Sequence, residues 1–171
     1  MWKYNGAERP PFAEVPGPGQ ESVWDYPRPP KLSKDNRAVE VKWRGQTIAL
    51  TKASVRILET ASPPTFYVPP EDVKRAFLSR APGSSYCEWK GQATYWNVSI
   101  DSNTLEKAVW TYEDPNEPFR EIAGYFCFYP GKLECYVDNI SVKPQPGGFY
   151  GGWITPEIVG PVKGEPGTGG W

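Results

Sequence analysis

The stretch Tyr86–Trp96, YCEWKGQATYW, sets one thiol, one carboxylate and one lysine among four large aromatic rings. Lys90 stands between Trp89 and Gly91, and the missing side chain of Gly91 lets backbone or ligand approach closely. Directed into a groove, Lys90 would serve as a base, a carbonyl trap or an anion anchor; at a strand end it would simply pair with a carboxylate. Cys87 lies three residues earlier, so on one regular strand it faces away from Lys90, whereas a bulge or turn at Lys90–Gly91 brings the two together. Glu59, closing the segment SVRILET, is a charge on an otherwise apolar strand and calls for a partner, either Arg56 or Lys90. As an enzyme the chain would use Lys90 and Glu59 as acid and base, with Cys87 as a candidate nucleophile. Tyr67, Tyr95 and Trp110, joined by Arg56, are the groups expected to bind a ligand, the rings by stacking and the tyrosine hydroxyls by orienting it.

Composition removes several alternatives. Histidine is absent from the 171 residues, which excludes imidazole-dependent triads and His-containing zinc sites. Cys87, Cys127 and Cys135 are odd in number and widely spaced, without a CxxC pair, so the sequence calls for neither metal nor cofactor and fits a reducing cytoplasm. A net charge of −1, from 19 basic and 20 acidic side chains, provides no field to hold nucleic acid. The opening MWKYNGAERPPF does not read as a secretory signal. The apolar run IAGYFCFYP is far shorter than the roughly 20 residues of a membrane helix, so no membrane insertion is expected. Phosphate-loop patterns are also missing.

The elements that must position these residues read as mainly β. AVEVKW and QTIAL alternate apolar with polar residues around RGQ, which predicts a hairpin. SVRILET continues the pattern, and PPTFYVP is a short strand whose flanking prolines suggest an edge. PPEDVKRAFL carries proline and acidic residues at its start and an apolar face, which predicts a short helix. ATYWNVSI, the turn DSNT and EKAVWTYED predict an aromatic hairpin, in which Tyr95 opposes Trp96 and Trp110 shares a face with Tyr112. EPFREIAGY allows one more helical turn, and YFCFYP with LECYV predicts a last hairpin. The expected fold is a compact antiparallel β-sandwich or open barrel with one or two short helices. Its core, 38–143, lies between Pro/Gly-rich extended arms, 1–37 and 144–171. The arms carry too many aromatic residues for flexible linkers and are expected to dock, on the domain, on a partner or on a second copy.

RILETASPPTFYVPPEDV, YCEWKGQATYW, AVWTYEDP and EIAGYFCFYP, in that order, resemble the family known as domain of unknown function 427 over about residues 38–137. The resemblance implies a compact β fold of the Mss4-like, or β-tent, type with a groove between sheets, and it implies no established reaction. The glycine- and tryptophan-rich tail is similar to the longer cyanobacterial and plant members. Relatives of that fold with zinc or sulfoxide chemistry use paired CxxC ligands, which this chain lacks.

The function expected is an uncharacterised β domain binding a small molecule in an aromatic-lined groove, with Lys90 and Glu59 as the chemistry-bearing pair. The alternative is a non-catalytic interaction module working through its Pro/Trp-rich arms. A carbohydrate-active protein would need two carboxylates across the cleft.

Overall fold

The computed structural model describes residues 2–171. In chain order its strands are β1 (Glu21–Ser22), β2 (Lys31–Asp35), β3 (Val39–Trp43), β4 (Gln46–Thr51), β5 (Ser54–Leu58), β6 (Thr65–Val68), β7 (Leu78–Cys87), β8 (Gly91–Ile100), β9 (Asn103–Thr111), β10 (Phe126–Phe128), β11 (Glu134–Val137), β12 (Ile140–Ser141), β13 (Lys143–Pro144), β14 (Trp153–Ile154) and β15 (Ile158–Val159). An antiparallel sheet in the order β2-β5-β6-β10-β9-β8-β7 packs on a second, β12-β11-β3-β4, and neither closes into a barrel. Among the described residues no helix is long and apolar enough to cross a membrane.

Alternation builds the core between the sheets. Val39 and Val41 of β3 and Cys135 and Val137 of β11 meet Phe66 and Val68 of β6, Val109 of β9, and Phe126 and Phe128 of β10. A bulge opposite Val41 and Lys42 leaves Ile48 as the extra residue of β4, so Ile48 and its neighbour Ala49 are both buried here. The intervening residues Tyr67, Trp110 and Cys127 therefore project from the other face of the seven-stranded sheet, where they form a second cluster. That face carries the site.

Three local expectations are corrected. PPEDVKRAFL forms two short 3-10 turns, Pro70–Asp72 and Arg75–Phe77, because Val73 between them is extended and bridges Ala49 of the neighbouring strand. The strand TFYV is interior: Pro64 and Pro69 lie just outside β6, so its ladders to β5 and β10 lose no donor. The run YFCFYP and LECYV is split between the two sheets, β10 pairing with β6 and β9 while β11 pairs with β3 and β12.

Both terminal segments lie on the core. β2 is the edge strand of the large sheet, and β1 pairs in parallel with β15, tying one segment to the other. Trp24 and Trp153 are fully buried. Trp153 stacks on Phe66 at 5.0 Å between centroids and donates its indole N–H to the Phe128 carbonyl at 2.9 Å. Near the chain ends Phe12 stacks on Trp171, and Trp24 packs edge-on against both. An arm that buries rings in this way contributes stability of core magnitude, about 3–5 kcal/mol for a single fully packed tryptophan.

Candidate functional site

One register row crosses five strands of the large sheet. Val55 pairs with Tyr67, Tyr67 with Cys127, Cys127 with Trp110, and Trp110 with Tyr95. Residues in register share a face, so this row, extended by Ile57, Ala93 and Tyr112, forms a continuous floor. The Trp110 indole N–H donates to the Tyr67 hydroxyl at 3.1 Å, and the Tyr129 ring lies 4.5 Å from that of Trp110. Burial pushes the Tyr67 and Tyr112 hydroxyls well above the ordinary tyrosine range. They meet any ligand as neutral O–H groups.

At one rim, the β7–β8 connection is the turn Glu88–Lys90, with Cys87 paired to Gly91. Gly91 has φ +101°, a conformation that strains an L side chain. Asn116 locks the turn from outside: its side-chain amide donates to the Trp89 carbonyl at 2.9 Å, and its backbone N–H donates to the Lys90 carbonyl at 3.0 Å. Lys90 thus leaves the strand geometry, and it and Cys87 line the same cavity. The Lys90 ammonium stands 5.6 Å from the centre of the Tyr112 ring.

The opposite wall and roof come from the two terminal segments. Gln145, almost fully buried, accepts from the Gly152 N–H at 3.1 Å and donates to the Lys163 carbonyl at 2.7 Å, clamping the base of the loop PGGFYG. Gly151 lies flat against Trp110, where a Cβ would penetrate the indole ring. Trp2 arrives from the other end of the chain and donates its indole N–H to Glu88 at 2.9 Å. Together these groups bound a cavity of about 470 Å³, within the range of small-molecule sites, roughly 300–1,000 Å³.

Residues 31–139 match the family described as a domain of unknown function (DUF427). The chain belongs to this family. Its DUF427 segment provides the aromatic floor and the Lys90 rim, whereas Trp2, Gln145, Tyr150 and Lys163 lie outside the matched span. No curated protein matches the sequence.

Of the residues singled out by type and spacing, Lys90, Glu59, Cys87, Tyr67, Tyr95 and Trp110 line this one cavity of the DUF427 fold. Arg56 does not. It alternates with Val55 and Ile57, so it points to the other face of β5, where it pairs with Glu21 at 2.5 Å and Asp35 at 3.5 Å. Neither partner expected for Glu59 is the one it takes: its carboxylate is 3.3 Å from Arg28. The Arg28 side chain is 2% exposed and also donates to the carbonyls of Tyr4, Thr60 and Trp171. Cys87 is half-buried, whereas burial pushes the Cys127 and Cys135 thiols up. Among the described residues no group of three or more His, Cys, Asp or Glu side chains is placed to hold a metal. Lys163 and Trp2 are lining residues that the sequence did not single out, since nothing in GPVKGEP indicates where its lysine points.

Proposed function

We propose that the protein is a small-molecule-binding β domain whose ligand lies on the Tyr67–Trp110–Tyr95 floor beneath a roof made by both terminal segments. The observation that carries this reading is the register row itself: three of its five residues, Tyr67, Trp110 and Tyr95, are aromatic and line a cavity, while Val55 and Cys127 are buried beside them. Lys90 is the ligand-contacting charge at the rim. Glu59, held by Arg28, orients the segment before β6 rather than exchanging protons, and Cys87 is a rim thiol within reach of bound ligand. The interaction-module reading draws less support, because the aromatic residues of the arms are largely spent on their own core, Trp24 and Trp153 at 0% exposure. A thermal-shift screen of the full chain against a metabolite panel tests the proposal, since a ligand that binds only the folded state raises apparent stability. At least one compound is expected to raise the melting temperature of the parent and not of Lys90→Ala; a panel without a single such compound overturns it.

A further inference from the structure

Two lysines of the cavity lining are buried along most of their length and have no carboxylate to neutralise them. Lys90 is 9% exposed and Lys163 is 5% exposed. Among the described residues neither ammonium has a carboxylate within 4.0 Å, and neither donates a hydrogen bond. Their neighbours are π faces: Tyr112 for Lys90, and Trp2 at 4.6 Å and Tyr150 at 5.3 Å for Lys163. Burying a charge without a partner is unfavourable, and aromatic faces offset only part of the cost. The carboxylates of the lining are already engaged. Glu59 is bound by Arg28, and Glu88 is exposed and accepts from Trp2. Trp89, also in the lining, has a buried indole N–H with no acceptor. The cavity therefore offers flat apolar surfaces together with two ammonium groups that lack a carboxylate partner, while the less exposed of its carboxylates, Glu59, is held by Arg28.

We propose that the ligand is a flat aromatic or conjugated acid, its rings on the Tyr67–Trp110 floor and its anionic oxygens met by Lys90 and Lys163. This rests on the cavity being a ligand site. The two lysines come from separate parts of the chain, one from the β7–β8 turn and the other from the segment after β15. Only a chain whose C-terminal segment is docked has both. A cationic ligand would meet two ammonium groups and no unengaged carboxylate within the buried part of the wall. A neutral one would leave both charges unpaired.

Matched probes separate the anion from the ring. Binding of 2-naphthoate, 2-naphthyl phosphate and neutral 2-naphthamide to the full-length protein is measured by tryptophan fluorescence and calorimetry. At least one anion is expected to bind tenfold or more tightly than the amide, and the order of the two anions identifies the preferred headgroup. That preference falls below threefold in Lys163→Met and in Lys90→Met, and is retained in Lys163→Arg. Salt provides a readout that needs no variant: raising ionic strength weakens the anion and leaves the amide unchanged. Equal affinity for amide and anions overturns the acid while leaving small-molecule binding intact. Failure of all three probes to bind overturns the flat aromatic acid, and the metabolite panel then decides separately whether small-molecule binding stands.

Discussion

Lys163→Met should leave the unliganded protein as stable as the parent or more so. Lys163 is 5% exposed as a residue and lines the cavity with no carboxylate at hand, so at most part of the about 1–3 kcal/mol cost of burying an uncompensated polar group applies to its ammonium. The Trp2 and Tyr150 faces return about 0.5–1 kcal/mol each, and a methionine thioether on the same rings keeps about 0.3–1.5 kcal/mol. The balance runs from neutral to a gain of about 1 kcal/mol, at most about 2–4 °C for a chain of this length. A buried lysine belonging to a structural ion pair behaves oppositely, since removing one partner of such a pair costs about 3–5 kcal/mol. The sign therefore decides. Paired urea and thermal melts of parent and variant are the assay, with the two-state character of each transition checked by a second probe. A melting temperature lowered by more than about 5 °C, well over 1 kcal/mol on the same scale, would refute the reasoning, because Lys163 would then be holding the fold together.

Arg28→Met removes the shared tether of Glu59, Tyr4, Thr60 and Trp171. A loss of about 3–5 kcal/mol is expected, with both terminal segments becoming accessible to limited proteolysis before the core; proteolysis unchanged from the parent contradicts this. Thiol labelling of the native protein should modify Cys87 alone, since Cys127 and Cys135 are buried and their thiols are pushed up, and bound ligand should slow it. Labelling of all three at one rate counts against the placement of Cys87 at the rim. Acid should destabilise the junction of the terminal segments. Burial by itself raises the carboxyls of Asp35 and Glu157, but the hydrogen bonds and charge of Arg37, joined by the charge of Arg56 at Asp35 and by further hydrogen bonds at Glu157, together outweigh it and hold both below their ordinary values. Their contribution is therefore complete above the unfolded-state values and is lost as pH falls from about 5 through the lower folded ones. Urea midpoints measured from neutral to acid pH should show this decline in the parent and a shallower one in Arg37→Met.

The floor of the site was legible in part because β structure has a period of two. In TFYV and AVWTY the alternation sets Tyr67 opposite Phe66 and Val68 and puts Trp110 on one face with Tyr112, whereas their meeting across Cys127 depends on β10 lying between β6 and β9, a pairing the expected YFCFYP–LECYV hairpin hid. The turn that brings Cys87 and Lys90 to one side was legible only as one of two possibilities, because the outcome depends on Asn116, a residue far along the chain that fixes Trp89 and Lys90 through their carbonyls. Arg56 and Glu59 lie three residues apart and invited pairing with each other. The fold gives each a partner from the N-terminal segment instead, Glu21 and Arg28, and local sequence carries no information about such returns. The same limit concealed Lys163 and Trp2, whose positions depend on where extended, proline-rich chain lies across a finished domain. Helical character in PPEDVKRAFL was real in propensity but gave way to tertiary pairing, with Val73 bridging Ala49 and the Lys74 N–H donating to the Ile48 carbonyl.

The eight tryptophans provide the most direct test of the cavity as a ligand site. Each indole N–H gives its own resonance, and three of these residues, Trp2, Trp89 and Trp110, line the cavity while Trp24 and Trp153 are sealed in other clusters. Titrating 2-naphthoate into labelled full-length protein should move the Trp2, Trp89 and Trp110 signals along one saturable curve and leave Trp24 and Trp153 in place. Signals that do not move, or that all move together, would contradict binding on the Tyr67–Trp110 floor.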